Sequence, residues 1–426
     1  MKKLLYLAAA ASCLLLVSCG TENSITPVSS STLQTSISTA PETQTEPAAS
    51  GTAAAAAPES TQTSFPRFTS NQGNDFYEIN CPFIPAAEAD LTVTRLDFPS
   101  EIDGLTVGIS GFIDEETLLV FLVSEKVADS GVYEMGTISL QGGKAGAYQK
   151  LLSLDRNTGV SVGNDRWIII SEADKLDDPN GNPARIYRLY DLKQKKLLQP
   201  FWTQSKDELG YPVGGGSWNS MLIIDDILYF DDYSMKEGEM AATMYGYDIS
   251  SGNITENYPD CQKPMLYQGK LIGAAKNDTG QYHRLISVKD NGASFKMEFD
   301  NRMMLLEAGP DGIYASVNKD TDSNGLTISN VQNLTTGQVL ITANTVLGDL
   351  NLSDSLIGWS RSTGNYAVAP ALYDIRNQRL ISFDKEFPNQ NDSQFFEYIK
   401  GNTALIYYKN LNEEQTAAEA LLVKIP

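Results

Sequence analysis

The chain is 426 residues long and carries 53 acidic against 32 basic side chains, a formal net charge of −21, with a single histidine. A polymer this acidic repels polyphosphates and anionic lipid headgroups, so nucleic acid is disfavoured as a partner, and cationic groups, metal ions or neutral ligands such as glycans are favoured. The same acid excess also serves plain solubility, so it biases the choice of partner without marking a site.

Lys2 and Lys3 precede an apolar run from Leu4 to Val17. That run is shorter than the roughly 20 residues needed to span a hydrocarbon core, and it matches the central region of a cleavable leader. It closes on Leu16-Val17-Ser18-Cys19, and this arrangement resembles the lipobox of bacterial lipoproteins. The resemblance implies a signal peptide over residues 1–18 and cleavage before Cys19. It also implies a diacylglycerol on the Cys19 sulfur, with acyl chains such as palmitate, and a working place on the extracytoplasmic face of the cell membrane. An ordinary leader is the plainer alternative. It does not explain a small residue followed by cysteine at the cut.

From Cys19 to about residue 74 the composition turns to Ser, Thr, Ala, Pro and Gln, including the run Ala53 to Ala57. Such a segment buries too little apolar surface to offset its ordering entropy, and it reads as a disordered tether. As a flexible coil it would span roughly 40 Å, a reach that holds a domain off a membrane. With Cys13 lost in the leader and Cys19 acylated, Cys81 and Cys261 remain. An oxidising compartment allows a disulfide between them; two separate buried thiols is the other reading, and sequence does not decide.

From residue 75 to 426 one unit recurs: an apolar strand, a polar loop, a strand of pattern apolar-x-apolar-Asp, then a turn. The copies end at Asp155, Asp191, Asp248, Val288, Asn333, Asp374 and Lys424. A period of about 45 residues with four strands per unit is the mark of a β-propeller blade. The runs Trp167–Ser171, Asp226–Phe230, Lys270–Ala274, Gly312–Ser316, Leu356–Ser360 and Ala404–Tyr408 are apolar almost throughout, as strands covered on both faces require. The fold class is therefore all-β, a propeller with seven blades. Its last copy lacks a fourth strand, and Leu91–Phe98 stands ready to close the ring as that strand. The tether should then enter near the last blade.

The turns of form Asp-x-x-Thr-Gly, clearest from Asp155 to Gly159 and weaker around Gly252 and Gly337, resemble degenerate TolB-like or quinoprotein-type propeller repeats. The latter usually place a tryptophan a few residues further on. Here those places hold Gly163, Glu256 and Ile341, so the resemblance implies fold and envelope location but no quinone and no cofactor.

In such a fold the loops between second and third strands share one face, and most of them carry acids. The expected binding face comprises Asp178, Asp231, Asp232, Asp278, Asp320 and Asp322, with Trp218, Tyr233 and Tyr366 as aromatic platforms; the plain alternative is hairpin tips made polar by water. Asp320-x-Asp322-x-Asn324-Gly325 matches the first half of a calcium loop. Val331 stands where a bidentate Glu is needed, which leaves at most a weak calcium site at Asp320, Asp322 and Asn324. His283 is the sole candidate for a nucleophile-activating base, and no Gly-x-Ser-x-Gly elbow accompanies it, so no catalytic residue is assigned. The sequence thus points to a non-enzymatic recognition scaffold for an envelope protein, peptide or wall glycan. The alternative is an envelope polysaccharide hydrolase or lyase using loop carboxylates.

Overall fold

The computed structural model describes residues 67–69, 76–124, 131–154, 158–173, 184–207, 213, 221–236, 239–299, 303–309, 311–321, 327–343, 350–359, 361–362, 371–383, 393–410 and 418–426. They form seven sheets, the blades of a propeller. Blade 1 runs through Leu105–Asp114, Thr117–Ser124, Gly131–Ser139 and Gln149–Ser153. Blade 2 uses Gly159–Val162, Trp167–Ala173, Arg185–Asp191 and Lys196–Leu197. Blade 3 follows with Leu222–Ile224, Ile227–Lys236, Glu239–Asp248 and Asn253–Pro259. Blade 4 has Cys261–Tyr267, Lys270–Ala275, Arg284–Ser287 and Lys296–Glu298. Blade 5 has Met303–Ala308, Ile313–Thr321, Thr327–Asn333 and Val339–Ala343. Blade 6 has Leu350–Leu352, Leu356–Trp359, Ala371–Asp374 and Arg379–Ser382.

The apolar runs singled out in sequence are the second strands of blades 2 to 7. Ile168, Ile169 and Ile170 of blade 2 are all buried, because neighbouring blades cover both sheet faces. Ile168 and Ile170 pack with Leu119 and Met135 of blade 1, while Trp167 and Ile169 pack with Leu228 and Phe230 of blade 3. The core is therefore a series of interblade layers, each built from alternate residues of two sheets.

One backbone hydrogen bond recurs in all seven blades. The residue after the third strand donates its N–H to a carbonyl at the foot of the second: Leu140 to Glu116, Leu192 to Arg166, Ile249 to Asp226, Val288 to Leu271, Leu334 to Ile313, Ile375 to Ser355 and Ile425 to Asn402. In four blades an Asp or Asn just before this residue caps the turn. Asp191 Oδ1 accepts from the N–H groups of Lys193 and Gln194, and Asp248 Oδ1 from those of Ser250 and Ser251. Asn333 Oδ1 accepts from Thr335 and Thr336, and Asp374 Oδ1 from Asn377. The recurring acid of the sequence repeat is thus an Asx-turn residue. Ser287 is the equivalent residue in blade 4, one before Val288. In blade 1 the equivalent is Ser139, and the expected copy ending at Asp155 is a misassignment: Gln149–Ser153, which precedes it, is the fourth strand, paired with the third.

Blade 7 comprises Ser393–Lys400, Thr403–Asn410 and Ala418–Lys424, and its fourth strand is the N-terminal Thr92–Leu96. Leu96 lies opposite Ala420 and Thr92 opposite Lys424 in an antiparallel ladder, so the ring closes as the unpaired N-terminal strand required. The segment before it follows another course than expected. Rather than arriving at the last blade, Arg67–Thr69 and Phe76–Ile79 extend the outer edge of blade 5, and Phe83–Pro85 runs parallel to Arg379–Ser382 on blade 6. Ile79, Cys81, Ala86 and Leu96 are buried along this path. Residues 67–69 and 76–96 therefore form a belt over blades 5, 6 and 7, and its first strand lies in a stretch whose composition reads as tether.

Candidate functional site

The second and third strands of blade 3 continue past the rest of their sheet as a projecting hairpin. Pro259, opposite Thr243, is the last paired residue of the outer strand, while the hairpin pairs on to Lys236 and Glu239. Asp231 and Asp232 belong to this hairpin and not to a loop. Each is only 4% exposed. Asp232 Oδ2 accepts hydrogen bonds from Trp202 Nε1 at 2.8 Å, Ser205 N at 3.1 Å and Ser205 Oγ at 2.8 Å, which pins the connection leaving blade 2. Asp231 Oδ2 accepts the backbone N–H of Lys263 at 2.7 Å. Both carboxylates hold the scaffold together, so neither supplies exposed charge to the face.

Lys263 is a residue that sequence reading passed over. It sits on the first strand of blade 4, where the register with the second strand breaks between Gln262 and Met265 and the backbone turns left-handed at φ 56°. Pro264 follows it and has no N–H to give the ladder, which is the local cause of the bulge. A Lys-Pro pair inside an apolar strand was the available signal. Burial lowers the Lys263 pKa, and the charges of Asp231 and of Glu307 on the first strand of blade 5 oppose that shift. On the blade 2 side, Tyr187 is buried near Arg185, Asp232 and Asp231; burial, which outweighs the pull of Arg185, raises its pKa. Arg185 Nε donates to Ser171 Oγ at 2.7 Å. A mixed-charge group thus spans blades 2 to 5, the kind of perturbed constellation that clefts use for ligands.

Beside it lies the fully described loop between second and third strands of blade 4, Lys276 to His283. Asn277 Oδ1 accepts from Thr279 N, Thr279 Oγ1 and Gln281 N, at 2.7 to 3.0 Å, so the loop is held by its own hydrogen bonds. Asp278 is exposed, its side chain 94% accessible, and pairs with Arg284, whose guanidinium lowers its pKa; the same guanidinium reaches Glu298. Tyr282 accepts the Ala242 N–H with its hydroxyl and faces the Lys276 ammonium with its ring at 5.6 Å. Tyr233 donates to Gln262 Oε1 at 2.7 Å, and burial raises its pKa. His283 packs its ring against Phe299.

The structure therefore brings Asp231, Asp232, Tyr233 and Asp278 to one sector of the ring, two of them inside it. Asp178, Trp218, Asp322, Asn324, Tyr366 and Cys19 lie outside the described residues. Asp320 is placed through its backbone alone, opposite Ile328 in blade 5. Among the described residues no group of three or more His, Cys, Asp or Glu side chains is placed to hold a metal ion. Cys81 and Cys261 are free buried thiols in different interblade layers, so the structure does not join them. No helix among the described residues is long and apolar enough to cross a membrane.

Solved propeller structures resemble the chain. The β-propeller domain of the Trilobed protease from Pyrococcus furiosus aligns at 9% identity over 76% of this chain and 97% of that one, with a TM-score of 0.49. Acylaminoacyl peptidase from Pyrococcus horikoshii aligns at 8% identity over 74% of this chain and 51% of its own length, with a TM-score of 0.46. AztD from Citrobacter koseri aligns at 12% identity over 75% and 86%, with a TM-score of 0.34. At such identities the likeness is one of fold. No protein-family model matches the sequence, and no curated protein aligns with it.

Proposed function

We propose that the chain is an extracytoplasmic lipoprotein, anchored through lipid at Cys19, whose propeller is a non-enzymatic recognition scaffold for an envelope protein, peptide or wall glycan. The observation that carries this reading is the division of labour at the loop face. The acids gathered inside the ring, Asp231 and Asp232, are committed to backbone and side-chain donors of neighbouring blades. What faces solvent is a self-braced polar loop presenting Asp278 beside the Tyr282 ring. A ring closed by its own N-terminal strand and a pre-ordered loop lose little freedom on binding, which suits recognition. The acid excess favours ligands that are neutral or cationic.

Two assays test the reading. Metabolic labelling with a tagged fatty acid should mark the wild-type chain and not Cys19→Ala. Envelope extract should then be passed over the wild type and over a loop variant, Asp278→Lys with Gln281→Lys. A single protein or glycan retained by the wild type alone supports recognition. Shortened wall polysaccharide in the flow-through, lost on replacing loop carboxylates, would instead establish a hydrolase or lyase.

A further inference from the structure

Residues 76–85 lie against the propeller as a bound peptide would. Tyr77 to Ile79 pair antiparallel with Ile341 to Ala343 on blade 5, and Phe83 to Pro85 pair parallel with Leu380 to Ser382 on blade 6. Between them Asn80 N donates to Leu340 O at 2.8 Å, and Leu380 N donates to Pro82 O at 2.7 Å. From 79 to 83 every second side chain turns inward. Ile79 and Cys81 are buried and Phe83 packs beside them, in one layer with Leu340, Ile341, Tyr373 and Leu380. Edge hydrogen bonds combined with pockets for alternate side chains are the means by which a sheet edge recognises an extended peptide.

We propose that the cleft between the outer edges of blades 5 and 6 is a strand-docking site, occupied in this structure by the chain's own residues 76–85. Its second occupant is an extended segment of a partner protein, with apolar side chains at the places of Ile79, Cys81 and Phe83 and a residue other than proline at the place of Pro82.

Two features make residues 76–85 a replaceable occupant. The ring closes without them, through the ladder of Thr92–Leu96 with Ala420–Lys424. The link to that ladder is a single helical turn at Ala86–Glu88, followed by exposed Asp90. They also bond the edge incompletely. Pro82 faces blade 6, since its carbonyl accepts from Leu380, yet it has no N–H to give in return. A segment tethered in cis competes at an effective concentration in the roughly millimolar range. A partner must therefore bond the edges better than residues 76–85 do, and the place of Pro82 is where it can.

The experiment uses the full chain in detergent and a fluorescent, amidated peptide of residues 76–86 carrying Pro82→Ala. The peptide should bind, and hydrogen exchange of the chain's own residues 76–85 should then quicken at least tenfold. Protection of Leu421 and Val423 in the closing ladder should stay unchanged. The same peptide with Ile79→Ser and Phe83→Ser should bind at least tenfold more weakly. In the chain itself Phe83→Ala, at a half-buried position, weakens the competitor in cis and should tighten peptide binding at least threefold. No binding, binding that leaves exchange of residues 76–85 unchanged, or equal binding of the peptide without its anchors would overturn the proposal. So would loss of protection in the closing ladder, which would make residues 76–85 part of the ring's own closure, or peptide binding unaltered by Phe83→Ala.

Discussion

The backbone N–H of Ala242 donates to the phenol oxygen of Tyr282 at 2.7 Å, one residue beyond the point where Pro259 ends the outer strand of blade 3. Ala242 is buried, so without the phenol this donor would have no water to turn to. One side chain from blade 4 thereby braces the projecting hairpin of blade 3.

Replacing Tyr282 with Phe keeps the ring and removes the acceptor. The expected cost is about 1–3 kcal/mol, the penalty of an unmade buried hydrogen bond, confined to the hairpin. Hydrogen exchange should quicken at Ala242 and toward the hairpin tip, with the interblade layers unchanged. Unchanged protection at Ala242 would show that the phenol is dispensable.

Asp232→Ala leaves three part-buried donors, Trp202 Nε1 and the N–H and O–H of Ser205, without their acceptor. The loss should be roughly 3 kcal/mol in urea unfolding, with a smaller loss for Asp232→Asn, which keeps an acceptor. Trp202 fluorescence should shift in the Ala variant. A loss below about 0.5 kcal/mol, the range of ordinary surface substitutions, would place Asp232 outside the scaffold.

Lys263→Met removes the amine that faces Asp231 and Glu307. The remaining carboxylates then repel each other when ionised, so the variant should be less stable by about 3 kcal/mol at neutral pH. Urea unfolding at neutral pH measures the loss, and a variant as stable as the wild type would contradict the arrangement.

Burial pushes the Cys81 and Cys261 thiols from 9.0 up to about 12, and the Tyr373 and Tyr407 hydroxyls from 10.0 up to about 12. These groups stay protonated in the fold at pH values where the unfolded chain already ionises. The stability these four groups contribute is therefore full below pH 9 and is lost as pH rises toward 12. Urea midpoints should fall across that window, and a thiol reagent at pH 8 should label neither cysteine until the protein unfolds.

The propeller was legible because its repeat has a local cause. Asp191, Asp248, Asn333 and Asp374 each cap a turn with a side chain, and a cap of that kind leaves a residue type at a fixed offset. Blade 1 escaped because Ser139 makes way for a three-residue helical turn at Gln141–Gly143, while Asp155 to Gly159 imitates the motif at the exit of an outer strand. Asp231 and Asp232 were misplaced because they follow the apolar run Ile227–Phe230, and nothing local tells that the strand goes on to Lys236. The belt was illegible for a different reason. Strands of three or four residues on a blade's outer edge, such as Phe83–Pro85, are too short to show a period, and their partners lie nearly three hundred residues away in the chain.

Because the belt lies on blades 5, 6 and 7 in chain order, tension drawn through the N-terminal side of Arg67 meets its strands one at a time. Arg67–Thr69 would peel first, then Phe76–Ile79, then Phe83–Pro85, each a brief yield that leaves the ring shut. Only when Thr92–Leu96 parted from Ala418–Lys424 would the circle open. The fold thus has a set of sacrificial fasteners ahead of its closing strand, and blades 2 to 4 stay off the line of load until the last one gives.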